Sequence, residues 1–118
     1  MTGFGFTHRR IPLIKLLAGS RIENLPAWAR TSLESARLAP SAVNRQPWGF
    51  DVDTGGVTLY VRTRGPEFNV SKRLDCGIAM LHFEVAAMSC GVKGEWQFME
   101  APRVARFLNV AEGVISQE

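Results

Sequence analysis

The stretch Ala36-Arg37-Leu38-Ala39-Pro40-Ser41-Ala42-Val43-Asn44-Arg45-Gln46-Pro47-Trp48 decides the fold of this 118-residue chain. A helix-forming run precedes it and strand-forming residues follow, so Pro40 to Pro47 reads as the turn that joins a helix to a strand. Pro40 biases Ala39 away from helical dihedrals, and Pro47 does the same to Gln46, which restricts both ends of the turn. Between the prolines, Ser41, Asn44 and Gln46 offer one hydroxyl and two amides. Such groups donate and accept hydrogen bonds without charge and suit the edge of a flat heteroaromatic ring. Ser and Asn also satisfy backbone groups inside a turn. A cofactor edge and a self-satisfied loop are both open readings at this point.

Working back from the loop, Leu25, Ala29, Leu33 and Ala36 fall at helical spacing, with Trp28 flanking them as a core or interface side chain. Asn24-Leu25-Pro26 opens that helix, with Asn24 as N-cap and Pro26 in the first turn. The helix stops near Leu38, so the polar trio sits at its C-terminus, where the dipole disfavours an anion and suits neutral groups. Ile11 to Gly19 reads as a shorter helix, with Pro12 near its start and Gly19 as its stop. Arg9 and Arg10 stand beside that helix N-terminus, a place that favours a phosphate, although a basic pair is also an ordinary solvated feature. Met1 to Thr7 reads as a short strand or a flexible lead-in.

Working forward, Trp48, Phe50 and Val52 alternate against Gly49, Asp51 and Asp53. Thr54-Gly55-Gly56 is a turn, and Val57, Leu59 and Val61 alternate again, which makes an antiparallel hairpin with one face inward. Arg62 and Arg64 belong to an exposed loop and face either a substrate or simply water. Ser71 to Cys90 is the longest element, a helix with Leu74, Ile78, Leu81, Val85 and Met88 on one stripe. Cys76, Ala79, Met80, Phe83, Ala86 and Ala87 make most of the remaining surface apolar, so the helix reads as buried nearly all round. Gly77, Ala79, Ala86 and Ala87 are small enough to admit another helix, and one flank is expected to pack on a second subunit. His82 lies in this helix without an acidic or cysteine partner at useful spacing, and reads as an interior or interface residue. Glu95 to Met99 reads as a strand joining the sheet. Arg103 to Val110 is either a last strand or an arm across a partner, and Ser116 to Glu118 is a frayed tail.

The chain is long enough for one domain with a modest core, and a hydrophobic content of 46% argues against disorder. Fourteen Lys and Arg against eleven Asp and Glu leave a net charge of +3. The basic residues are scattered, which disfavours nucleic acid despite a pI near 9.3. Cys76 and Cys90 lie in one helix about 20 Å apart and cannot bond there, in keeping with a reducing cytoplasm. No apolar run approaches a membrane span, and the N-terminus lacks a signal-peptide pattern, so a soluble cytoplasmic protein is expected. Metal-spaced Cys/His sets, phosphate-cradling Gly-rich loops and nucleophile–base pairs are missing from the sequence.

Ala39-Pro40-Ser41-Ala42-Val43-Asn44-Arg45-Gln46-Pro47-Trp48 resembles the Pro-Ser-x-x-Asn-x-Gln-Pro-Trp motif of the nitroreductase family, flavoproteins that bind FMN at a dimer interface. Asp75-Cys76-Gly77-Ile78-Ala79-Met80, continuing to Ala86-Ala87 and Gly91, is similar to the central helix that follows the motif in that family. The likeness runs roughly from Phe4 to Trp96 and is nearest to a branch whose single chain contains two related halves, of which this chain resembles the second. It implies an α+β fold, a mixed or antiparallel sheet with a hairpin packed on a long central helix and two shorter helices. It also implies an FMN-dependent oxidoreductase that passes hydride from NAD(P)H to a nitroaromatic or quinone-like acceptor, as a homodimer or beside a companion N-terminal half. By resemblance Pro40, Ser41 and Asn44 approach the ring system, Gln46 braces the loop or ring edge, and Arg9 and Arg10 hold the phosphate. The family's N-terminal Arg-x-Ser-x-Arg-x-Phe/Tyr segment, which grips the FMN phosphate and ribityl chain, is not reproduced; Arg103 to Phe107 is only superficially similar. A cofactor-free remnant or dimerisation module is therefore the alternative.

Overall fold

The computed structural model describes residues 9–19, 21–62 and 71–109. Among these residues three α-helices, α1 (Leu13–Leu16), α2 (Ala27–Arg37) and α3 (Lys72–Ser89), accompany four strands, β1 (Trp48–Asp53), β2 (Gly56–Val61), β3 (Gly94–Phe98) and β4 (Arg103–Asn109). The strands form one antiparallel sheet in the order β1-β2-β4-β3. The fold is α+β, as the sequence implied. Arg103 to Asn109 is a strand in the sheet interior, while Val110 and the tail, like Met1 to Thr7 and Arg64, lie outside the described residues.

The hairpin forms where alternation and the Thr54-Gly55 turn place it. Asp53 closes the turn by accepting the Gly55 and Gly56 amides at 2.8 and 3.0 Å. Register then sorts the side chains by face. Val52 opposes Val57, Val57 opposes Phe107, and Phe107 opposes Trp96, giving one apolar row across all four strands. Asp51, Thr58, Arg106 and Gln97 make the matching polar row on the other face. The apolar row meets α3 through Phe83, whose ring centre lies 4.9 Å from Phe107 and 5.5 Å from Trp96, both edge-on. Trp28 of α2 joins this cluster at 6.3 Å from Phe83. Each such pair adds about 0.5–1.5 kcal/mol beyond its buried area.

Several local expectations are corrected. Asn24 does not cap α2: it ends a 3-10 turn, Ile22–Asn24, and Pro26 itself occupies the N-cap. With φ fixed near −65°, Pro is pre-shaped for the position before a helix and has no N–H to lose there. The first helix is only four residues long, because Leu17 leaves it to form a parallel bridge with Phe50 and the Ala18 N–H reaches the Phe50 carbonyl at 2.9 Å. Helix α3 is buried on one face alone. Asp75, Cys76, Ala79, Phe83 and Ala87 face inward, whereas Leu74, Leu81, Val85 and Met88 are each about 60% exposed. Ala79 and Ala87 are fully buried in the core rather than reserved for a further helix. Met80 carries the inward face round toward its flank, and Ile78 packs at the core margin.

Candidate functional site

The loop between α2 and β1 has an unusual backbone. Val43, Asn44 and Gln46 have φ of 43°, 56° and 47°, three left-handed residues within four, none of them glycine. Such conformations cost of order 1–3 kcal/mol each and persist only where the surroundings over-determine them. A β-branched Val43 is the most strained of the three. Pre-proline sterics predict an extended Gln46. Its left-handed backbone is instead fixed by a buried side chain that bonds in three directions. Gln46 Oε1 accepts the Ile11 N–H at 2.8 Å, and Nε2 donates to the Arg9 and Asn44 carbonyls at 3.1 Å each.

The remaining bonds pin the loop from both sides. The Gln46 N–H donates to Ser41 Oγ at 2.9 Å, and Asn44 Nδ2 donates to the Arg9 carbonyl at 2.8 Å. From below, the Asp75 carboxylate, in the first turn of α3, accepts the Ala42 N–H at 3.2 Å and Arg45 Nε at 2.7 Å. Asp75 is 2% exposed and Arg45 11%. The helix N-terminus adds a favourable dipole to the carboxylate. Arg37 of α2 reaches the Ile11 carbonyl at 3.3 Å, and Arg10 Nη2 reaches the Leu38 carbonyl at 3.4 Å, so segment 9–11 is laced to the end of α2 as well.

The sequence candidates are thus brought together. Arg9 and Arg10, some thirty-five positions upstream, stand against Ser41, Asn44 and Gln46, with Pro40 exposed at the loop's start. They do not all present free groups. Both donors of Gln46 and one of Asn44 are spent on the Arg9 and Asn44 carbonyls, and the Arg10 guanidinium lies along the Leu38 and Arg9 carbonyls. The Arg9 side chain is exposed at the same rim. A four-residue α1 supplies only a small dipole beside it.

Asp75 and Arg45 were missed in the sequence as site residues. One signal was available. Asp75, Ala79, Phe83 and Ala87 recur every four residues, so a carboxylate lies on the buried stripe of an apolar helix and requires a partner.

At the far end of β1, about 17 Å away for six residues of strand, lies a cleft of about 740 Å³ lined by Arg21, Asn24, Trp28, Asp53 and Asn109 among others. Asp53, at its edge, forms a bidentate pair in which Arg106 Nη1 and Nη2 each donate at 2.8 Å to its carboxylate. The Arg106 hydrogen bond, helped by the Gly55 and Gly56 amides, holds the Asp53 carboxyl down at about 2. This cleft does not touch the loop, and the chemistry-bearing residues are at the loop. Among the described residues no group of His, Cys, Asp and Glu could hold a metal ion, and no helix is long and apolar enough to cross a membrane.

Comparison with known proteins agrees with this arrangement. The sequence model of a family described as "Putative TM nitroreductase" matches residues 3–87. A crystal structure of a "putative nitroreductase" from Thermotoga maritima superposes on this chain with a TM-score of 0.70 and 24% identity. The match covers 86% of this chain and 42% of that one, so this chain spans under half the length of its structural relative. Among curated proteins none matches. The family match extends over well more than half of the chain and takes in the Pro40–Trp48 loop, Asp75 and most of α3, and on that ground the chain belongs to the nitroreductase family.

Proposed function

We propose that this chain is the FMN-binding half of a nitroreductase-type oxidoreductase, one folded unit over residues 1–118, acting as a homodimer or beside a companion N-terminal half. One observation carries the reading. The Arg9 carbonyl accepts hydrogen bonds from both Asn44 and Gln46, which joins the basic segment and the amide loop into a single rim. The rim fits the cofactor chemically. It combines an exposed arginine for a phosphate with the Ser41 hydroxyl and the Asn44 amide oxygen for a ring edge, on a backbone pre-shaped before any ligand arrives.

The roles differ by residue. Arg9 is placed to meet the phosphate, with Arg10 behind it fixing the segment to α2. Pro40, Ser41 and Asn44 border the ring system, and Gln46 braces the loop. Bound FMN supplies hydride transfer from a reduced nicotinamide nucleotide to a nitroaromatic or quinone-like acceptor, while the protein binds, orients and excludes water. A partner belongs on α3, where Leu74, Leu81, Val85 and Met88 form an exposed apolar stripe. The cytoplasm is the compartment in keeping with Cys76 and Cys90 as thiols rather than a disulfide.

A second reading is a cofactor-free interaction module. The internal use of the Asn44 and Gln46 donors favours it. An absorbance spectrum of the purified protein with and without FMN, alongside its size-exclusion mass, separates the two. A flavin band co-eluting with a dimer, and weakened in Asn44→Ala and Arg9→Ala, is expected. A dimer that stays colourless in saturating FMN would overturn the cofactor reading in favour of the module.

A further inference from the structure

We propose that Asp75 is a positioning residue for the cofactor loop: its carboxylate clamps Ala42 and Arg45 and thereby holds Ser41, Asn44 and Gln46 in their ligand-ready geometry. This rests on the reading that the loop binds FMN. The clamp is a single buried group reaching across thirty-three residues of chain. Oδ1 takes the Ala42 N–H at 3.2 Å and Oδ2 takes Arg45 Nε at 2.7 Å, so the carboxylate spans the 3-10 turn Ala42–Asn44. That turn contains the strained Val43 and Asn44, and Gln46 follows it. A left-handed run of this kind relaxes unless held from outside.

The holding groups are few. On the outer side the exposed Arg9 offers a backbone carbonyl and the half-buried Ile11 an N–H. On the inner side Asp75 is rooted in the first turn of an eighteen-residue helix that packs into the aromatic core two turns later through Phe83. The inner anchor is therefore the rigid one: the helix holds the Ala42–Asn44 turn, while Gln46 holds its own backbone against Arg9 and Ile11. The same helix carries the exposed stripe assigned to a partner, beginning at Leu74, the neighbour of Asp75. Cofactor affinity should consequently respond to a change at Asp75 that touches no ligand.

The test uses Asp75→Asn, which keeps an oxygen for the Ala42 N–H but removes the charge, and Arg45→Gln, which leaves Asp75 in place should the first variant fold poorly. Hydrogen exchange is followed at the Ala42 and Gln46 amides and in the β2–β4 ladder, and FMN binding by fluorescence titration and visible circular dichroism. In both variants the two loop amides are expected to exchange about tenfold faster with the ladder unchanged, the loss of one charge-assisted bond. FMN affinity should fall by a similar factor with an altered flavin dichroism band, which a purely structural change elsewhere would not produce. Unchanged loop exchange in both variants overturns the clamp. Faster loop exchange with parental FMN affinity overturns its role in binding. If the parent takes up no FMN, the cofactor reading falls, and loop exchange alone then upholds or overturns the clamp.

Discussion

At the entrance to β1 Asp75 holds Arg45 at 2.7 Å with side chains 2% and 11% exposed; at its exit Asp53 holds Arg106 at 2.8 Å with side chains 52% and 24% exposed. The chemistry of the two pairs is the same and the distances nearly so, yet water separates them in consequence. An exposed pair trades hydration for a screened attraction and gains little. A buried pair has already lost its hydration, so Arg45 relies on the carboxylate and Asp75 on both Arg45 and the Ala42 N–H. The second pair decorates a turn that Gly55 and Gly56 already close. The first holds a strained loop in shape.

Removing Asp75 should give the largest effect. Asp75→Ala leaves Arg45 buried without its carboxylate and is expected to cost about 3–5 kcal/mol in denaturant unfolding. For a domain of ordinary stability that is a large share of the total. A cost below about 1 kcal/mol would break the contrast, since it would put the buried pair in the class of exposed ones. Gln46→Ala comes next, at about 2 kcal/mol, because the Ile11 N–H loses its acceptor in a part-buried setting. Measuring both by the same unfolding curves tells whether the loop's inner or outer anchor dominates. Val43 then gives a change of opposite sign. Val43→Asn places an αL-tolerant residue at φ 43° on a side chain 84% exposed, and should stabilise by about 1 kcal/mol. No gain there would mean that Val43 is not strained.

The contrast also shows where sequence reading reaches its limit. The hairpin from Trp48 to Val61 was legible because its information is local: period-two alternation and a two-residue turn. The loop's place was legible for the same reason, from two prolines and a polar cluster. The Asp75–Arg45 pair was not, since its partners are thirty residues apart and meet only once α3 docks. The left-handed backbone at Gln46 runs against the pre-proline preference, because tertiary bonds to Arg9 and Ile11 outweigh a local bias. Likewise α3 is apolar over most of its surface in sequence. Register alone could not tell that Phe83 points into the core while Leu81 and Val85 stand in solvent. That depends on where the sheet presents Phe107 and Trp96. The interior position of β4 is a non-local outcome of the same kind.

The smallest expected effect is at the exit pair and carries a pH signature. Arg106→Ala should cost about 0.5–1 kcal/mol near neutrality, the ordinary worth of a screened bidentate pair. Asp53 has its folded pKa lowered from 3.8 to about 2, chiefly by the Arg106 hydrogen bond. A carboxyl with a depressed folded pKa contributes stability that is present above its unfolded value and is lost as pH falls through the folded one. The contribution of Asp53 is therefore complete above about pH 4 and disappears between there and about pH 2. Unfolding curves of the parent and Arg106→Ala should run parallel above pH 4 and converge across that window, because the variant has little left to lose. Curves that stay parallel down to pH 2 would show that the Gly55 and Gly56 amides, not Arg106, hold the Asp53 charge. The turn itself would then be the anchor at this end of β1, as α3 is at the other.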